Sequence, residues 1–139
     1  MTTIESRYLN TDFDLKSESA FDTLRAELAE RCLELHYQGG EDGHHHASYE
    51  SKHDYESSET GAEFDILRIV EVLKSLSDQA KSELQSCYLR EFNIGFDCGD
   101  TWGFGHSVPQ EVIAEAADLG CSLAVTLYPT RHPDGKPRE

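Results

Sequence analysis

The apolar positions of this chain fall into short periodic runs separated by polar and glycine-bearing stretches, and the period changes from run to run. Tyr8, Phe13 and Leu15 stand in a polar setting between about Arg7 and Lys16 and predict an opening strand. Phe21, Leu24, Leu28 and Cys32 then recur at spacings of three and four, which puts them on one buried stripe of a helix running to about Arg31, capped by Ser17 or Ser19. Period two returns where Leu33, Leu35 and Tyr37 alternate with Glu34 and His36. The following Gln38 to Gly43 is rich in residues that tolerate positive φ, so a β-hairpin is predicted. Its second strand runs from about His44 to His53, with Ala47, Tyr49 and Ser51 on one face and Ser48, Glu50 and Lys52 on the other. The polar, acidic stretch from Asp54 to Gly61 reads as an exposed loop.

Thr60, three residues before Glu63, offers a capping box for a helix whose Ile66, Leu67, Val70 and Leu73 form a wide apolar face. Ser77 caps a shorter helix, about Asp78 to Ser86, with Ala80, Leu84 and Cys87 facing inward. Phe92, Ile94, Phe96 and Cys98 alternate with Asn93, Gly95 and Asp97 and predict an inner strand. After a loop from Gly99 to Gly105, Ser107, Pro109 and Gln110 open a helix buried by Val112, Ile113, Ala116 and Leu119 and ended by Gly120. Leu123, Val125 and Leu127 close the fold as a strand.

The order β-α-β-β-α(α)-β-α-β predicts an α+β fold: a ferredoxin-like βαββαβ core extended by a C-terminal αβ unit, with helices on one face of a mainly antiparallel sheet. One domain is expected over residues 1–129, followed by a flexible tail, 130–139, punctuated by Pro133, Gly135 and Pro137. Between Arg90 and Pro129, the segments REFNIGFDCG, VPQEVIAEAADLG and SLAVTLYP resemble the C-terminal half of small bacterial domain-of-unknown-function proteins that end in strand, helix and strand. That resemblance implies a bacterial cytoplasmic protein and brings no catalytic residues with it.

Composition changes the picture in one respect. Asp and Glu number 27 against 12 Lys and Arg, a formal net charge of -15 over 139 residues. A surface so acidic repels nucleic-acid phosphates and anionic membranes and attracts basic protein surfaces. No apolar run is long enough to cross a bilayer and Met1 to Asn10 has no signal-peptide pattern, so a cytoplasmic location is expected. Cys32, Cys87, Cys98 and Cys121 are widely spaced and form no CxxC pair, which favours buried free thiols.

Three segments carry candidate chemistry. His36, His44, His45, His46 and His53 cluster at the hairpin. No helical spacing preorganises them for metal, so neither a metal nor a cofactor is expected, and His44 and His46, on the same side of an extended strand, are the residues a metal would take if one bound. The loop after the inner strand brings Asp97, Asp100, Trp102, Phe104 and His106 together in sequence among glycines, either as a recognition loop or as a cover over one end of the core. The stretch from Glu41 to Asp65 holds eight carboxylates against Lys52, a local net of -7, and offers Glu41, Asp42 and Glu50 as docking charges with Tyr37, Tyr49 or Tyr55 as aromatic anchors. No GxSxG, phosphate-binding loop or Rossmann fingerprint is present. The expectation is a non-catalytic acidic binding protein of the immunity or inhibitor type, engaging a basic protein partner and leaving the oligomeric state open. The alternative is a metal-dependent enzyme or metal-binding protein built on the histidine-rich hairpin or on Asp97, Asp100 and His106.

Overall fold

Phe13 and Leu15 alternating with Asp12, Asp14 and Lys16 set the first strand down with one dry and one wet face, and the helix Ala62–Lys74 closes over the dry one. The computed structural model describes residues 3–52, 61–100 and 102–137. Along them run β1 (Arg7–Ser17), α1 (Asp22–Arg31), β2 (Cys32–Gly39), β3 (His45–Ser51), α2 (Ala62–Lys74), α3 (Asp78–Ser86), β4 (Leu89–Asp97), α4 (Gln110–Asp118) and β5 (Ser122–Tyr128). The fold is mixed α+β, with four helices and a five-stranded sheet in the order β2-β3-β1-β4-β5. All neighbours are antiparallel except β4 and β5, which are parallel. No helix among the described residues is long and apolar enough to cross a membrane.

The dry face carries Phe13 and Leu15 of β1, Ala47 and Tyr49 of β3, and Phe92, Ile94 and Phe96 of β4, all buried. Ile66, Ile69, Val70 and Leu73 of α2 close over β1 and β3, α1 packs on β2 and α3, and α4 packs on α2. Among the described residues no helix lies on the other face of the sheet, and its side chains, among them Asp12, Asp14, Ser48, Glu50, Glu91 and Asn93, are half-buried.

Several local expectations are corrected. A bulge between Glu34 and His36 shifts the register of β2, so Leu33 and Leu35, expected on a buried face with Tyr37, are exposed, while Tyr37 and Cys32 do turn to the core. Val125 and Leu127 have the expected phase but stand on the edge strand, where the helix layer leaves them 59% and 54% exposed. Neither Ser17 nor Ser19 caps α1; the Ser17 hydroxyl accepts the Ser19 N–H instead. Nor does Ser107 cap α4, whose first turn is closed onto the Pro109 carbonyl. Ser77 does cap α3. Thr60, the loop 54–60 and His53 lie outside the described residues.

The missing cap of α1 is supplied across space. Glu83 of α3 accepts the Leu24 N–H at 3.1 Å, while Glu27 of α1 accepts the N–H and hydroxyl of Ser77 at 2.8 and 2.5 Å. Each helix start is thereby satisfied by a carboxylate of the other, which a local search for capping boxes cannot see. The segment read as a tail also has partners: Thr130 is buried, His132 and Lys136 close a turn, and Arg131 forms a bridge with Pro137.

Candidate functional site

The loop after β4 is braced at its base and bare at its tip. Gly99 takes φ +67°, and a Cβ there would lie 2.3 Å from the Ser6 nitrogen, so the turn requires glycine. Asp97 accepts the Gly99 N–H at 3.1 Å and the Thr130 hydroxyl, and lies 3.8 Å from Arg7. The Thr130 bond, then the Gly99 bond, hold its carboxyl below the ordinary range. Asp100 takes both arms of the Arg131 guanidinium at 2.6 and 2.7 Å and the Ile4 N–H at 2.8 Å, and the Arg131 bonds bring its carboxyl down to about 2. Both aspartates are thus structural clamps that tie the loop to the two ends of the described chain.

Beyond the clamps the loop presents its aromatics. Trp102 is fully exposed and Phe104 is 41% exposed, its ring 5.6 Å from Phe96. The His106 ring packs 5.1 Å from Phe96, with Nε2 3.9 Å from Glu63. Phe104 and His106 border an open groove of about 250 Å³ whose remaining walls are Ile94, Phe96, Val108, Val125 and Leu127. Trp102 therefore does not serve as a cover over the core, and Phe104 does so only in part.

The other predicted residues are dispersed. His44 Nδ1 meets the Tyr88 hydroxyl at 3.3 Å, His45 Nδ1 meets the Tyr37 hydroxyl at 3.1 Å, and the His46 ring lies 5.3 Å from that of His36. His44 and His46 both line an open pocket of about 250 Å³ with Lys16, Gln38, Asp42 and Tyr88. Among the described residues no group of three or more His, Cys, Asp or Glu side chains is placed to hold a metal ion. The four cysteines are free; burial pushes the Cys87 and Cys121 thiols up to about 11. Glu41 and Asp42 are exposed in the hairpin turn, where Asp42 accepts the His44 N–H.

Tyr49 requires correction. It is completely buried, its ring in the core and its hydroxyl donating to Glu34 at 3.2 Å, so it cannot anchor a partner. Tyr37 carries the Arg25 guanidinium 3.4 Å above its ring, and Tyr55 lies outside the described residues. Asp65, counted from the sequence with the acidic surface, is buried and accepts from Tyr8, from Ser51 at 3.0 Å and from Arg68 at 3.0 Å. Burial foremost, with the bond to Asp65, pushes the Tyr8 hydroxyl well above its ordinary range.

Of the acidic surface that does form, the sequence reading names only Glu50 as a docking charge. On the helix-free face of the sheet Asp12 stands directly across from Glu50 on one side and Asn93 on the other, and Asp14 stands across from Ser48 and Glu91. Four carboxylates from three adjacent strands thus share one face, with Lys16 and His46 paired at its margin. Asn10 donates to Asp12 at 3.1 Å and Ser48 to Asp14 at 2.6 Å. Burial first, then the charges of Asp14 and Glu50, push the Asp12 carboxyl up to about 6. Like charges placed directly opposite one another across strands are destabilising. The signal was present in the sequence as Asp12-Phe13-Asp14-Leu15, where strict alternation sends both carboxylates to the same face.

No protein-family model, no curated protein and no solved structure matches this chain.

Proposed function

We propose that this chain is a non-catalytic binding protein that engages a basic protein partner through the helix-free face of its sheet. One observation carries the reading: on that face Asp12 stands directly across from Glu50 and Asp14 directly across from Glu91, with Lys16 and His46 at the margin. A partner lysine or arginine inserted among these carboxylates relieves their repulsion, so the stability lost in the free protein returns as affinity. Glu41 and Asp42 in the hairpin turn extend the negative surface that steers the encounter, and Trp102, exposed on a braced loop, has the chemistry of an aromatic anchor. An inhibitor or immunity role, in which such a face plugs a cationic active site, is the form of this function that the charge supports best.

Two further readings belong with it. The order β2-β3-β1-β4, with β3 between the two strands joined by α1, supports a ferredoxin-like core, to which α4 and β5 are added. A bacterial cytoplasmic setting rests on the resemblance of residues 90–129.

The test is co-purification with untagged protein, followed by association kinetics with whatever is recovered. A basic protein whose association rate falls tenfold or more between about 0.05 and 0.5 M salt is expected, and the triple substitution Asp12→Asn, Asp14→Asn, Glu50→Gln should abolish capture. A partner held equally well by the triple variant, at a salt-independent rate, refutes the proposal.

A further inference from the structure

The two edges of the sheet are built differently. β2 is interrupted by the bulge at Glu34 and His36 and carries both of those side chains, the devices by which an edge strand is kept from pairing with another chain. β5 has neither: Ser122–Tyr128 is SLAVTLY, paired without irregularity to β4 on one side, with no charged residue, no proline and no bulge. Among the described residues no strand pairs with its other side, and Val125, Leu127 and Tyr128 are 59%, 54% and 49% exposed. In a chain of net charge -15, this is an edge without any carboxylate of its own.

We propose that β5 is the self-association edge of the protein, pairing antiparallel with β5 of a second copy about a two-fold axis through Val125. The sequence of the strand is self-complementary about that residue. In this register Leu123 faces Leu127 of the copy and Val125 faces itself on the side of the helices, while Ala124 faces Thr126 on the open side. The absence of charge selects the occupant. A basic partner gains nothing from an uncharged strand, whereas a second copy, repelled by the acidic faces, can approach only where neither chain carries a carboxylate. The proposal stands independently of the function proposed above.

The experiment is sedimentation of the full chain at tens of micromolar, with and without added salt. A dimer that persists or tightens as salt rises is expected, the opposite of the salt response predicted for a basic partner. Val125→Lys, at an exposed position, places two ammonium groups face to face and should weaken the dimer by on the order of a hundredfold while leaving the melting curve of the monomer unchanged. Leu33→Lys on the β2 edge should leave the dimer intact. Register is read by a short thiol cross-linker, scored against wild-type protein. Val125→Cys should couple copies efficiently, whereas Ser122→Cys should not, because residues 122 of the two copies would lie roughly 20 Å apart. A monomer under all conditions, a dimer indifferent to Val125→Lys, or coupling through residue 122 and not through residue 125 overturns the proposal.

Discussion

Replacing Asp12 with asparagine keeps the shape of the side chain and removes its charge, which makes it the sharpest probe of the open sheet face. Burial and the neighbouring charges of Asp14 and Glu50 raise its carboxyl from the ordinary 3.8 to about 6 in the folded chain. A raised carboxyl pKa means that the folded protein resists the ionisation that the unfolded chain undergoes freely. Stability is therefore lost as pH climbs from about 4 to about 6 and is not regained above that. Undiluted, the shift corresponds to about 3 kcal/mol; screening by water at a half-exposed strand position reduces it to about 1 kcal/mol. Asp12→Asn should thus stabilise the protein by about 1 kcal/mol at pH 7.5 and by far less at pH 4, where the folded carboxyl is protonated and the unfolded one is only partly ionised. Urea unfolding followed by circular dichroism at the two pH values measures the difference directly, and the slope of the transition should not change. The same substitution should slow capture of a basic partner. Equal stability of the two proteins at pH 7.5, or a gain of the same size at pH 4, would show that Asp12 is not under electrostatic strain and would remove the physical basis of the acidic docking face.

Two further predictions separate recognition from packing. Trp102→Ala should leave the melting temperature unchanged, because nothing covers the indole, and Phe104→Ala should cost about 1 kcal/mol, well short of the 3–5 kcal/mol of a fully buried phenylalanine. A large loss of stability from Trp102→Ala, measured by thermal unfolding, would mean that the ring packs on the protein. Glu83→Ala should remove the cross-helix cap of α1 and cost about 1 kcal/mol at neutral pH. Burial alone would raise the Glu83 carboxyl, but hydrogen bonds from Gln79, Leu24 and Thr23 outweigh it and leave it below the ordinary range. Its contribution therefore fades as pH falls through the carboxylate range, and a penalty that persists in acid would refute the capping assignment.

Element types and their order were legible because periodicity follows directly from burial: Phe13 and Leu15, Ala47 and Tyr49, and Phe92, Ile94 and Phe96 each alternate in phase with the one dry face. What was not legible depends on pairing in space. The bulge in β2 is a property of its register against β3, so Leu33 and Leu35 carry an alternation that the fold discards. Glu27 and Glu83 cap helices 50 and 59 residues away, and no local motif records that. At the site, the sequence left Trp102 open between a recognition loop and a cover over the core, and it grouped carboxylates by proximity along the chain. Asp65 belonged to that group and is buried, whereas Asp12 and Glu91, distant in sequence, come together on one face.

Segregation of charge across the sheet makes an acidic face and a neutral self-association edge compatible. In the proposed pairing the two-fold axis stands perpendicular to the sheet, so the helix-free faces of both copies remain on the same side. β1 lies two strands in from β5. Five inter-strand spacings then separate Asp12 from its symmetry mate, a lateral distance of about 24 Å. Exposed charges interact weakly beyond about 8 Å at physiological ionic strength, so the repulsion between these aspartates is largely screened. Had the carboxylates of Asp12 and Asp14 been carried on β5 instead, they would have faced each other across a single strand spacing and prevented the pairing. The same sheet can therefore hold its strained carboxylates near the centre of each copy, where a cationic partner relieves them, and keep its neutral strand at the rim.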